Sequence, residues 1–185
     1  MTFTETRLPG AYIIGMEKLE DERGYFARSW CRREFNEHGL DSALVQCSTS
    51  FNRKKGTLRV MHYQSPPFAE SKLVRCTRGA IIDVIVDLRR SSPTFTQWIS
   101  AELTPDNGTM IFVPQGFAHG FQTLADNTDV YYQMSEFHAF GSERGFRWND
   151  PSAGIEWPLP VSTMSDKDRA LPGLNAKEFD DAIHC

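Results

Sequence analysis

Cysteine is sparse in this chain of 185 residues: Cys31, Cys47, Cys76 and Cys185 are scattered with no C-x-x-C pair. Thiols so spaced fit neither a disulfide framework nor a structural zinc site, and imply a reducing, cytoplasmic setting. No run is long and apolar enough to span a bilayer, and the first ten residues lack a basic stretch followed by an apolar core. A soluble chain without a membrane partner is expected. Positive charge is short as well, the formal net charge being −4 at neutral pH. No basic block and no interleaving of arginine with aromatics marks a nucleic-acid surface, and the short run Arg53-Lys54-Lys55 reads as a solvated hairpin tip. Repeats, low-complexity tracts and linkers are missing, so residues 1–185 are expected to form one domain, large enough to bury a core without staples.

What the chain has is strand. Short β-rich segments separated by turn residues run from about Gly10 to Glu136. The strongest covers residues 80–88, with Ile82, Val84, Val86 and Leu88 on one face and Ile81, Asp83, Ile85 and Asp87 on the other, a pattern that buries both faces. Residues 58–64, 72–77, 95–103, 109–113, 121–124 and 129–137 read as further strands, punctuated by Gly56, Pro66-Pro67, Gly79, Pro93, Gly108 and Asn127. Helix is limited to a short piece over residues 30–38, ending at Gly39, and another begun by Ser165. The expected class is all-β, a jelly roll with short peripheral helices in the N-terminal third and near the C-terminus.

Two histidines stand in distinctive settings. His119 ends the run Gly108-Thr-Met-Ile-Phe-Val-Pro114-Gln-Gly116-Phe-Ala-His119, whose G-x5-P-x-G-x2-H spacing resembles the second signature of the cupin superfamily. That resemblance implies a small jelly-roll barrel with His119 aimed inward, where such histidines usually hold a metal. His62 lies in Leu58-Arg-Val-Met-His-Tyr-Gln64, where the first cupin signature would have a second histidine in place of Gln64. With only His62 and His119 as good imidazole donors, a divalent site is short of ligands, and proton chemistry is the better use of the pair. A metal-dependent rival would use His62, Gln64 and His119.

Each candidate also has a structural alternative. His62 and His119 could be hydrogen-bonded core residues. Ser165-Asp-Lys-Asp168 fits a capping box, which would explain Asp168 without catalysis. Lys72 could guard a strand edge and Tyr132 could simply fill a sheet.

Taken together, the residues resemble the nucleotide-diphospho-4-keto-6-deoxy-sugar epimerases typified by dTDP-4-dehydrorhamnose 3,5-epimerase. The matches run in order through Asp21-Glu-Arg-Gly-Tyr-Phe26, Leu58-Arg59-x-x-His62, Lys72-Leu-Val-Arg75, Asp83-Val-x-Val-Asp87, Ser91-Ser-Pro-Thr-Phe95, Pro114-x-Gly-Phe-Ala-His-Gly-Phe121, Arg147-Trp-Asn-Asp150, Gly154-Ile-Glu-Trp-Pro158 and Ser165-Asp-Lys-Asp168. The resemblance implies an isomerase without cofactor or metal. It makes His62 the base, Asp168 its carboxylate partner, Lys72 the cation beside the enolate oxygen and Tyr132 the acid on the far face. It places Arg59 and His119 near the sugar and diphosphate, Gln46 and Ser48 at the nucleotide end, and Phe137 where an aromatic stacks on the base. Arg23 and Phe26 match positions that reach the nucleotide from a neighbouring subunit, implying a homodimer, and Arg28 follows them. The sequence departs from the family where Arg28 replaces an acid and Ser48 an amide, which opens the choice of nucleotide carrier. Strict alternation also puts Arg59 off the face of His62, with Leu58, Val60 and Gln64 on it, so a bulge is needed to bring Arg59 into the same site.

Overall fold

Strands with two apolar faces need covering layers on both sides, and the chain supplies them by packing two sheets together. A computed structural model describes residues 1–174; Cys185 lies outside the described residues. In chain order the elements are β1 (Thr2–Glu5), β2 (Tyr12–Gly15), β3 (Leu19–Asp21), β4 (Gly24–Phe26), α1 (Arg32–Glu37), β5 (Gln46–Asn52), β6 (Leu58–Gln64), β7 (Lys72–Arg78), β8 (Ile81–Asp87), β9 (Trp98–Leu103), β10 (Thr109–Val113), β11 (Phe117–Thr123), β12 (Thr128–Met134), β13 (Glu143–Gly145) and α2 (Asp166–Arg169). One sheet has the order β1-β2-β10-β7-β12-β5, the other β13-β6-β11-β8-β9, and β3-β4 is a separate hairpin. The named strand pairs are antiparallel. This is the expected all-β jelly roll with short helices at its periphery.

Residues from both sheets, among them Val74, Ile81, Ile85, Ile111, Phe117, Phe121 and Val130, form the core between them. The other face of β8 is buried too, because Val84, Val86 and Leu88 pack under Phe146, Trp148 and Met164 from the C-terminal segment. On the far side α1 drops Phe35 onto Ile14, Met110 and Phe112.

Several boundaries differ from expectation. The strand expected over residues 95–103 starts at Trp98, because Asp87 ties the preceding turn: its carboxylate accepts from Ser92 Oγ at 2.6 Å, Thr94 Oγ1 at 2.7 Å and Arg89 Nε at 2.9 Å. Strand β11 begins at Phe117 rather than at residue 121, so His119 sits within a strand and not at a turn. Among the described residues no helix is long and apolar enough to cross a membrane.

Candidate active site

The antiparallel register brings chemistry from both sheets to one open end of the barrel. A cleft of about 510 Å³ is lined there by Gln46, Ser48 and Ser50 of β5, Arg59 and His62 of β6, Lys72, His119, Tyr132 and Asp168, among others. Eight of the twelve sequence-predicted site residues are therefore assembled in one cavity. Arg23, Phe26, Arg28 and Phe137 are not part of this lining.

The bulge that Arg59 requires is present. Between β11 and β6, His119 faces His62 but Phe121 faces Arg59, so three steps on β6 answer two on β11. Val60 and Met61 both turn into the outer core, and the strand's parity changes between them. Arg59, His62 and Gln64 consequently share the cleft, whereas Leu58 and Val60, expected on the face of His62, pack away from it. Arg59 Nε donates to Asn52 Oδ1 at 2.8 Å, which leaves the rest of the guanidinium to reach into the cavity.

His62 Nε2 lies 3.0 Å from Asp168 Oδ1, and the two side chains are 37% and 7% exposed. The imidazole is thus open to the cleft while its partner is sealed behind it. The capping interaction is real as well: Asp168 N donates to Ser165 Oγ at 3.0 Å, which fixes the start of α2. Backbone and side chain of Asp168 do different work, one closing the helix and the other meeting His62. Burial opposes the charge on Asp168, but the hydrogen bond and positive potential from His62, with help from Ser165 and the Val60 backbone, hold the carboxyl below its ordinary range.

Tyr132 stands on the opposite sheet from His62. Burial, reinforced by the negative potential of Asp83, pushes its phenol up against the opposing influence of Arg59 and a hydrogen bond with Ser50. A phenol so placed keeps its proton at neutral pH and can donate it. Its ring meets that of His119 edge-on, with centroids 6.0 Å apart. His119 Nε2 is 2.8 Å from Asp83 Oδ2. Asp83 is fully buried and its Oδ1 has no hydrogen-bond partner among the described residues; burial pushes this carboxyl up, with His119 and Lys72 opposing. Lys72 Nζ is 2.9 Å from Glu70 Oε1, and its side chain is only 14% exposed.

Ser50, Asn52, Glu70, His138, Glu143 and Lys167, which no sequence signal marks as site residues, also line the cleft or orient a lining residue. Gln64 is a ligand only in the metal-dependent alternative. Its amide is instead occupied by backbone and hydroxyl groups of neighbouring loops. Elsewhere, Arg28 Nη1 is paired with Glu34 Oε1 at 2.7 Å, while Arg23 and Phe26 occupy the exposed β3-β4 hairpin.

Residues 5–176 match the model of the dTDP-4-dehydrorhamnose 3,5-epimerase family. The enzyme of that name from Sinorhizobium fredii is 42% identical over 175 residues, which cover 94% of this chain and 90% of the relative. A crystal structure of the Bacillus anthracis enzyme with TDP and PPi bound superimposes with a TM-score of 0.91 at 40% identity, covering 94% of this chain and 99% of the other. The Legionella pneumophila 3,5-epimerase, solved in complex with dTDP-4-keto-L-rhamnose, gives 0.89 at 35% identity, with 96% of each chain covered.

Proposed function

The chain belongs to the dTDP-4-dehydrorhamnose 3,5-epimerase family, and from that premise we propose that it is an isomerase inverting C3 and C5 of a dTDP-4-keto-6-deoxy-hexose in deoxysugar biosynthesis. The observation that carries the reading is the His62–Asp168 pair open to a cleft whose other wall carries protonated Tyr132. A ketone at C4 makes the protons on both neighbouring carbons removable once the enolate is stabilised. His62, with Nε2 committed to Asp168, takes the proton through its other ring nitrogen, and Asp168 stabilises the imidazolium that results. The C–H electrons move into the C3–C4 or C4–C5 bond and the charge passes to O4. There the Lys72 ammonium opposes it. Tyr132 returns a proton from the opposite side, which inverts the carbon, and exchange with solvent resets both groups. The same cycle serves C3 and C5 in turn.

The nucleotide end supports dTDP over another carrier. The similar enzymes are named for dTDP sugars and one holds TDP, while the arginine that raised the question is neutralised within its own chain by Glu34. Arg59 offers a guanidinium fork to the diphosphate, and Gln46 and Ser48 line the same wall. Arg23 and Phe26 reach the nucleotide of a second copy. Their hairpin leaves Leu19 70%, Tyr25 50% and Phe26 74% exposed in the single chain, a surface that suits burial against a partner.

The direct test is proton NMR of dTDP-4-keto-6-deoxy-glucose incubated with the enzyme in D2O. Deuterium should enter at C3 and C5 with formation of the doubly inverted sugar. Exchange confined to C3 would make the protein a monoepimerase, and no exchange at either carbon would sink the reading.

A further inference from the structure

Gln64 is two residues from His62, only 6% exposed, and part of the cleft lining. An amide carries two donor positions and an oxygen with two lone pairs, and here all four are used. Nε2 donates to Phe68 O at 3.0 Å and to Phe137 O at 3.2 Å, while Oε1 accepts from Ala139 N at 2.8 Å and Ser142 Oγ at 3.2 Å. Three of these partners lie in the loop that joins β12 to β13. Phe137 from this loop is 61% exposed, and the adjoining His138 lines the cleft. The loop is pinned from the other wall as well, since His138 N donates to Gln46 Oε1 at 3.1 Å.

We propose that Gln64 is a positioning residue that holds the 137–142 loop across the mouth of the cleft and so sets nucleotide affinity, leaving proton transfer at His62 unchanged. The inference rests on the reading of the cleft as a nucleotide-sugar site. The physical reason is that a buried amide with every position satisfied is costly to replace: an apolar side chain strands two carbonyls and an N–H, leaving Ser142 Oγ only its bond to Ala139 O. The loop then samples other positions, and a ligand pays to order it again on binding.

Gln64→Leu, and the near-isosteric Gln64→Glu, which turns two donors into acceptors facing carbonyls, are compared with wild type in two measurements. TDP affinity by calorimetry should fall about tenfold or more in both, while deuterium incorporation at saturating substrate stays within about threefold. Adding Phe137→Ala should cost TDP affinity much less in the Gln64→Leu background than in wild type, because the loop is already released. Unchanged TDP affinity in folded variants, or fully additive effects of Gln64→Leu and Phe137→Ala, overturns the proposal. So does lost exchange with affinity retained, which would place Gln64 in the proton machinery. Should neither Gln64 variant fold, Ser142→Ala removes one of the four bonds from the loop side and must itself weaken TDP binding. Failure of the epimerase reading shows separately, as a wild-type protein that exchanges no sugar proton.

Discussion

His62, Tyr132 and Asp168 each yield a separable outcome. His62→Ala should abolish deuterium entry at both C3 and C5, since of the other imidazoles in the lining His119 is buried against Asp83 and His138 faces Glu143; appreciable exchange would remove His62 from the role. Tyr132→Phe should separate removal of the proton from inversion. Wash-in would continue while inverted product falls behind it, whereas equal loss of both would mean that another donor serves the far face. Asp168→Asn should lower turnover and also change the response to acid. The folded carboxyl lies below its ordinary value of 3.8, so its contribution to stability is complete above that pH and disappears as pH falls through the folded value. The stability gap between wild type and Asp168→Asn should therefore be flat near neutrality and close below about pH 4. Denaturant midpoints across that range check the point, and a gap that persists in acid would assign the loss to the helix rather than to the pair.

Strands β8 and β10 were legible because their apolar residues are local and both of their faces are covered, and β6 was legible from Leu58 and Val60 although its other face opens onto the cleft. Strand β5 was not, and the reason lies in its role. Gln46, Ser48 and Ser50 turn a polar face to the cleft and the alternate positions Cys47, Thr49 and Phe51 are exposed, so no apolar side marks it as a strand. The β3-β4 hairpin was missed for a related reason, as all six of its strand residues are exposed. The pairing of His62 with Asp168 spans 106 positions and was visible only through family resemblance, while the bulge in β6 was required by Arg59 before it was seen. That bulge depends on Gly120. A Cβ there would meet Arg59 O at 2.8 Å, Met61 Sδ at 2.9 Å and Val60 Cα at 3.1 Å, so two of its three nearest contacts are bulge backbone that cannot swing aside. Gly120→Ala should cost about 1–3 kcal/mol of stability and weaken TDP binding by displacing Arg59. A variant with wild-type melting and affinity would show that the bulge tolerates the shift.

Dimerisation through the hairpin makes a claim that no single-site substitution can isolate. If Arg23 and Phe26 complete the cleft of a second copy, each site draws its base from one chain and its nucleotide clamp from the other. A His62→Ala chain keeps an intact hairpin, and an Arg23→Ala/Phe26→Ala chain keeps an intact His62. Either variant alone should be nearly inactive at low substrate. When the two are mixed in equal amounts and allowed to exchange subunits, about half of the dimers are hybrid, and each hybrid has one site built from two sound contributions. Activity should then recover to about a quarter of wild type. If the hairpin instead folds back onto its own cleft, a hybrid contains no complete site, because one has lost its base and the other its clamp. Mixed samples shown by mass spectrometry to contain hybrids, yet no more active than the separate variants, would rule out the exchange of hairpins between copies.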